Sequence, residues 1–397
     1  MMTKIMKRVY AIVLFVTMLF TGAIGVSAES LSADTIRQRN YESTNGYTKL
    51  FETFELNGST ANPAYPEEYG GAYIDDNGNL VVQCVEVSAN MTREETMFTK
   101  AALSEVTGLQ TVKTDTVQYS YNQLVIANNT IGAHIVKVTE ESAVSEKARK
   151  LEVGTFKGKI VQTAIDAKNN TVVVWLDDVS ADSIKAFRKE IYDAPYLVFE
   201  LASDERPTLQ KTYEAGEGCI NGDCYLNGGG SIGFPATFGS YSGFVTAWHC
   251  SEPGMNYING QVYGTRVDGS STYDYAFIHQ TNFTDTVSRG MYDTTKTLKA
   301  YSYSYVIQGS AVGRTGCATG YSDGIVTYVG VNNPLGNDLL QTDCGSEGGD
   351  SGGPYFGSPS SSTPSIAGIH IGAIRYTDTT YFRGVSYLFD AGYRIPN

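Results

Sequence analysis

Charged side chains are scarce in the second half of this 397-residue chain. Residues 215–397 hold only 22 Asp, Glu, Lys and Arg among 183 positions, whereas residues 29–214 hold 46 among 186. Basic residues are the rarer sign, and the net charge is −13. A nucleic-acid partner is therefore not expected, because phosphate binding requires a basic surface. The change in composition predicts a charged α/β domain followed by an all-β domain rich in small residues.

Long hydrophobic runs are absent except at the N-terminus. A basic stretch at residues 4–8 precedes an apolar run over residues 9–25 and the small residues 26–28. This pattern is typical of a secretory signal peptide over residues 1–28. A membrane anchor is the alternative, but the run is short and has no stop-transfer flank. We expect a secreted protein that has no membrane association after signal removal and whose cysteines are free to form disulfides.

The charged region, residues 29–214, contains a repeated pattern. Residues 72–82 and 163–174 each have the pattern of a strand, a tight turn and a second strand. Each copy is followed by a polar opener and a helical stretch. The sequence therefore predicts two similar α/β units in tandem, at about residues 60–130 and 150–204.

The small-residue region, residues 215–397, has short strand-like runs separated by turn residues, which is typical of a barrel or sandwich. It contains Ser351 within a Gly-Gly-Asp-Ser-Gly-Gly segment. A serine hydroxyl is a weak nucleophile that needs an adjacent base and support for the oxyanion that it creates. The neighbouring glycines allow a tight turn whose N–H groups point into one small volume. His249 and Asp274 precede this turn and are candidates for the base and its orienting group.

The order His249, Asp274, Ser351 and the segments around these residues resemble the chymotrypsin clan of serine endopeptidases. The resemblance implies two six-stranded Greek-key barrels with the catalytic groups in the cleft between them. Ser351 would attack the scissile carbonyl, His249 would transfer its proton, and Asp274 would fix the imidazole tautomer. The N–H groups of Gly349 and Ser351 would form the oxyanion hole. Neither a metal ion nor a cofactor is expected.

In position and pattern, residues 29–214 resemble the pro-regions of alpha-lytic protease and the streptogrisins. The resemblance implies a zymogen whose pro-region assists folding of the protease and inhibits it until removed. A barrel with many long-range contacts folds slowly, which gives such a template a purpose. We expect the partners to be protein or peptide substrates and the chain's own pro-region, and the protein to be a monomer. The alternative for this region is an extracellular α/β binding domain.

The segment 368–372, Gly-Ile-His-Ile-Gly, resembles the Gly-Ile-His-x-Gly segment of glutamyl endopeptidases. The resemblance implies that His370 and Gly372 line the pocket for the residue before the cleaved bond, and that Ser346 adds a hydroxyl donor. An imidazolium and a hydroxyl both stabilise a bound carboxylate. Cleavage after Glu or Asp is therefore expected, and Glu214 at the domain junction is a candidate processing site. The alternatives are a strand histidine and a pocket for small apolar or aromatic side chains.

Two residues depart from the clan's usual pattern. Trp248 stands where a small residue usually precedes the catalytic histidine, and Ile371 stands where a serine often bonds the catalytic aspartate. These departures leave open a catalytically weak binding module with the same fold. The resemblance also implies that Asp350 forms a structural pair with Arg314.

Five of the six cysteines follow the junction, at Cys219, Cys224, Cys250, Cys317 and Cys344. The resemblance implies a bridge from Cys250 to Cys224 or Cys219, and Cys317 and Cys344 are candidates for a second. One thiol would be left over. A rival hypothesis makes Cys250 a nucleophile beside His249, but neighbours on a strand point to opposite faces. The sixth cysteine, Cys84, is expected to be a buried free thiol.

Overall fold

A computed structural model describes residues 31–54, 65–85, 98–135, 156, 158–203, 207–209, 230–251, 253–258, 261–281, 287, 289–291, 293–374 and 377–396. The predicted signal peptide, the junction at Glu214, and Cys219 and Cys224 lie outside these residues. Within the described part, no helix combines the length and apolarity that crossing a bilayer requires.

The region before the junction consists of two units of similar topology. The first contains α1 (Ala33–Glu52), β1 (Tyr69–Ile74), β2 (Leu80–Val85), α2 (Lys100–Thr107), β3 (Lys113–Val117) and α3 (Tyr121–Gly132). The second contains β4 (Ile160–Asp166), β5 (Thr171–Leu176), α4 (Ala181–Glu190) and β6 (Leu197–Leu201). In each unit an antiparallel hairpin leads through a helix to a strand parallel to the second hairpin strand. This is the hairpin, helix and strand order that the sequence pattern indicates.

The region after the junction is built from strands. A short strand, β7 (Pro207–Leu209), precedes it. The first sheet of the region after the junction contains β8 (Phe234–Phe238), β9 (Tyr241–Thr246), β10 (Met255–Ile258), β11 (Gln261–Ser270) and β12 (Tyr275–Gln280). These strands pair in the order β10-β11-β12-β9-β8. The five strands are antiparallel.

A second set of strands closes into a barrel. These strands are β13 (Ala311–Gly316), β14 (Gly320–Asn333), β15 (Gly336–Thr342), β16 (Pro354–Gly357), β17 (Ser365–Ile374) and β18 (Thr380–Gly384), followed by α5 (Val385–Asp390). They pair in the order β13-β16-β17-β18-β15-β14, and β14 pairs again with β13. The predicted all-β fold is confirmed. This barrel has the six strands that the resemblance implied, whereas the first sheet has five strands among the described residues.

The two regions share one continuous sheet. Strand β14 is long enough to extend beyond the barrel, where Val329 pairs with Ile165 and Asn332 with Thr163 of β4. This pairing gives a sheet whose path from β13 to β6 contains nine strands, and β7, paired with β17, is the tenth. Because β14 and β4 pair with each other, neither exposes this edge to pairing with another chain.

Candidate active site

His249 and Asp274 meet at the end of two paired strands. His249 lies in a short 3-10 turn, Trp248–Cys250, directly after β9, and Asp274 directly precedes β12. Because Thr246 of β9 pairs with Ala276 of β12, the two side chains are brought together. The His249 Nδ1 and Asp274 Oδ2 atoms are 2.7 Å apart, and the His249 backbone N–H donates to Asp274 Oδ1 at 3.0 Å.

The pair is buried, and its charges stabilise each other. Burial alone would raise the pKa of Asp274, but the charge and hydrogen bonds of His249 outweigh it, so that pKa is lowered. Burial would lower the pKa of His249, but the Asp274 carboxylate and the Cys250 side chain hold that pKa well above its usual value. The arrangement therefore favours an imidazolium beside a carboxylate, the charge state that forms when a histidine accepts a proton from a nucleophile.

Ser351 lies in the tight turn between β15 and β16. Gly349 and Gly352 have φ angles of 110° and 88°, a region that favours glycine. A Cβ on Gly352 would overlap the Thr246 hydroxyl, so the turn packs directly against β9. Among the described residues the N–H groups of Gly349 and Ser351 donate to no backbone carbonyl, which leaves them available to an oxyanion.

The side chain of Ser351 is not hydrogen-bonded to His249. The Ser351 hydroxyl donates to the carbonyl oxygen of Ile371 at 3.1 Å, and His249 Nε2 has no hydrogen-bond partner in the described part of the chain. The Cys250 thiol donates to the Ser351 carbonyl at 3.5 Å and interacts with the His249 imidazole. The Ser351 backbone and the His249 side chain therefore both contact Cys250.

The Ser351 turn is held from both sides by residues outside the predicted catalytic set. Ser231, just before β8, donates its N–H to the Ser351 carbonyl at 2.6 Å and its hydroxyl to the Gly349 carbonyl at 2.7 Å. The His370 backbone bonds Gly352 and Gly353 on the other side, at 2.8 Å each. No local motif marks Ser231, so its role could not be predicted from the sequence.

The expected pair of Arg314 and Asp350 is present beneath the turn. Both side chains are fully buried, with Arg314 Nη2 and Asp350 Oδ2 3.1 Å apart. Asp350 also accepts hydrogen bonds from the N–H groups of Ala318 and Glu347, both at 2.9 Å. The carboxylate is thus fully satisfied and fixes the backbone on which Ser351 sits.

The predicted pocket residues lie along β17 and the loop before Ser351. His370 is fully buried, with its ring centroid 5.9 Å from that of Tyr355. Burial, together with the positive charges of Arg314 and His249, places the His370 pKa well below its usual value, so the imidazole is neutral. Gly372 pairs with Tyr381 of β18, and Ser346 is half-buried.

Trp248 has a structural contact that explains its size. The Arg266 guanidinium lies 3.5 Å from the centroid of the Trp248 ring and donates to the Ser251 carbonyl at 3.1 Å. The Trp248–Arg266 contact and the Arg266–Ser251 hydrogen bond therefore tie the turn that carries His249 to β11.

The predicted disulfides are corrected by the structure. Cys250 and Cys344 are free and buried, so the expected bridges from Cys250 and between Cys317 and Cys344 are wrong. A Cβ on Gly230 would overlap the Cys250 sulfur, so a glycine occupies the place opposite that thiol. The Cys344 sulfur faces the Val312 carbonyl at 3.9 Å, inside the barrel.

Cys317, on the β13–β14 turn, is disulfide-bonded, and its partner lies outside the described residues. Cys84 is free, as expected, but half-buried rather than buried. Cys250 and His249 share a 3-10 turn rather than a strand. The expectation that strand geometry points the two side chains to opposite faces therefore does not apply. The described residues contain no cluster of His, Cys, Asp and Glu suited to a metal ion.

The region before the junction matches two family models. Residues 32–117 match a Pro-like N-terminal domain, and residues 122–201 match a Pro-like C-terminal domain. Streptogrisin-C from Streptomyces griseus is 28% identical over 294 residues, which cover 67% of this chain. The match spans 62% of the length of streptogrisin-C.

Glutamyl endopeptidase 2 from Streptomyces griseus is 33% identical over 162 residues, which cover 37% of this chain and 82% of the relative. Among solved structures, a Cellulomonas bogoriensis chymotrypsin is 28% identical, and the match covers 44% of this chain and 97% of that one, with a TM-score of 0.37. Sequence similarity to glutamyl endopeptidase 2 extends over most of that protein. The chain therefore belongs to the chymotrypsin-clan family of bacterial serine proteases that carry an N-terminal pro-region.

Proposed function

We propose that this chain is a secreted serine endopeptidase, made as a zymogen, that cleaves peptide bonds after Glu or Asp. The observation that carries the proposal is the buried His249–Asp274 pair beside the glycine-bounded Ser351 turn. A carboxylate, an imidazole and a hydroxyl in this order are what acyl transfer from a peptide requires. The strand pairing between the two regions supports the zymogen proposal. His370 on β17 supports the proposed cleavage after Glu or Asp.

Ser351 attacks the scissile carbonyl after its hydroxyl has turned from Ile371 toward His249. His249 Nε2 accepts the proton and later returns it to the leaving amine, while Asp274 stabilises the imidazolium. The N–H groups of Gly349 and Ser351 hold the oxyanion. Water then repeats the sequence on the acyl-enzyme and releases the second product.

The zymogen proposal is supported by β7, which pairs antiparallel with the last residues of β17, just after His370. Leu209 pairs with Gly372, Thr208 with Ala373, and Pro207 with Ile374. An extended peptide that adds to a strand edge obtains backbone hydrogen bonds independent of its sequence. The tail of the pro-region therefore occupies the edge beside the nucleophile turn that a substrate would use.

A second contact supports an inhibitory role for the pro-region. Asn40 of α1 donates through Nδ2 to the Gly309 carbonyl at 2.7 Å and accepts at Oδ1 from the Ala311 N–H at 2.8 Å. This side-chain amide replaces the backbone partner that the start of β13 would otherwise need. Together with the β4–β14 pairing, it ties the pro-region to the barrel that carries Ser351.

Specificity for acidic residues is supported by His370 and by the similarity to glutamyl endopeptidase 2, whose name states its specificity. A bound carboxylate would convert the neutral imidazole of His370 into an imidazolium and form a charge-assisted hydrogen bond. Glu214, at the junction, would then be a substrate of the chain's own site.

A catalytically weak binding module is the second candidate. The hydroxyl of Ser351 bonded to Ile371 favours it, since His249 has not engaged the nucleophile. Cleavage profiling of the secreted protein on a peptide library decides between the two, with Ser351→Ala as the control. We expect hydrolysis after Glu and Asp that the variant lacks. A folded wild-type protein without hydrolysis would favour the binding module.

A further inference from the structure

Arg383 is a fully buried arginine that the proposed mechanism does not use. It lies on β18, in the barrel that carries Ser351. Its Nε donates to the carbonyl of Tyr273, the residue before Asp274, at 2.8 Å. Its Nη1 donates to the carbonyls of Asn337 and Asp338, near the start of β15, at 2.6 and 3.1 Å. One guanidinium thus spans from the second barrel to the backbone next to Asp274.

The position of Asp274 needs external support. Its φ angle is 54°, a left-handed conformation that costs free energy in a non-glycine residue. In addition, Ile371 offers no side-chain hydroxyl to this carboxylate. A strained residue persists only where its surroundings fix it. The carbonyl immediately before it, held by a charged donor, is such a constraint.

The surroundings of Arg383 fix its own orientation. The guanidinium carbon lies 5.4 Å from the Tyr273 ring centroid and 4.8 Å from that of Tyr387. The Tyr387 hydroxyl donates to Asp338 Oδ2 at 2.6 Å, so the Arg383 site also contains a carboxylate. A Cβ on Gly336 would come within 3.0 Å of Nη2. The planar guanidinium is therefore held in one orientation, and a lysine ammonium cannot make the same set of hydrogen bonds.

We propose that Arg383 is a positioning residue for catalysis: it holds the Tyr273–Asp274 backbone, so that β18 sets the orientation of Asp274 and, through it, of His249. This inference rests on the proposed serine endopeptidase function. Arg383 connects the barrel that carries Ser351 to the backbone of the residue before Asp274.

The test compares Arg383→Met and Arg383→Lys with Arg289→Met. Arg289 also donates to a backbone carbonyl, that of Leu298, at 3.0 Å, but it does not contact the Asp274 segment. We expect R383M to lower kcat by about ten- to a hundredfold with little change in KM, because a charge-assisted hydrogen bond is lost. R383K, which retains the charge but not the fork, should fall between R383M and the wild type. R289M should match the wild type.

Two further readouts separate positioning from general destabilisation. In R383M the acid limb of the kcat/KM profile should move to higher pH, because the loss of a positive charge beside Asp274 stabilises imidazolium at His249. The low-field proton resonance of His249 Nδ1–H should also shift or broaden. If R383M fails to fold, R383K must show the kcat loss and the changed resonance. Folded variants with unchanged kcat, pH profile and resonance would overturn the inference.

Serine-directed fluorophosphonate labelling keeps this result distinct from failure of the proposed function. A folded wild-type protein that ignores the reagent would remove the endopeptidase proposal itself. A labelled wild type with an equally fast R383M variant would remove only the role of Arg383.

Discussion

Breaking the pairing of β7 with β17 should activate the uncut precursor. Pro207 has no N–H, and the Ile374 N–H donates to the Thr379 carbonyl instead of to β7. Because hydrogen-bonded pairs alternate along an antiparallel ladder, the bonded pair is Thr208 with Ala373. Proline at position 208 removes one donor of that pair and distorts its partner.

Two backbone hydrogen bonds at about 0.5–1.5 kcal/mol each correspond to about 1–3 kcal/mol, or about five- to a hundredfold in the open fraction of the cleft. The assay is the rate at which fluorophosphonate labels the full-length precursor, separated from processed protein on a gel. T208P should be labelled faster by that factor. T208A, which keeps the backbone, should behave as the wild type. Equal rates for T208P and T208A, with rapid labelling of the mature enzyme, would refute the reasoning.

Three other changes probe the pocket, the buried pair and the pro-region. His370→Val should reduce the preference for Glu by about 1.5–3 kcal/mol, or about one to two decades in kcat/KM. In the wild type the preference for Glu should fall as pH rises, because His370 must take up a proton to form the ion pair and its pKa lies below the usual value. Asp350→Asn should destabilise an inactive Ser351→Ala precursor by about 3–5 kcal/mol in urea unfolding, since Arg314 is left as an uncompensated buried charge. Asn40→Ala should raise the inhibition constant of the pro-region added in trans to the mature enzyme, by about five- to a hundredfold, because two hydrogen bonds are lost.

The parts of the site that the sequence predicted are those with local signals. The glycines around Ser351 adopt the positive φ angles of a tight turn. Because such angles favour glycine, a cluster of glycines in the sequence predicts the turn. His249 and Asp274 each lie next to a strand whose alternation is readable, and the pairing of β9 with β12 then brings them together. The hairpin, helix and strand order of the first region was likewise a matter of local turn chemistry.

The parts that the sequence did not predict depend on contacts between distant residues. Cys250 is a free thiol and Gly230 lies opposite it, a contact that only the packing of the segment before β8 reveals. The backbone of the 3-10 turn at His249 donates to Asp274, 25 residues away in the chain. Arg383 and Ser231 act on backbone carbonyls far away in the chain, and such contacts leave no pattern in either partner's own sequence.

The most direct test of the central claim is mass spectrometry of the mature protein after reaction with a fluorophosphonate. The proposed mechanism predicts a single adduct, mapped to Ser351, that disappears in Ser351→Ala and forms far more slowly in His249→Ala. The Cys250→Ser variant should still be labelled at Ser351, because the thiol is not the nucleophile. A folded mature protein that stays unmodified, or an adduct on any residue other than Ser351, would contradict the assignment.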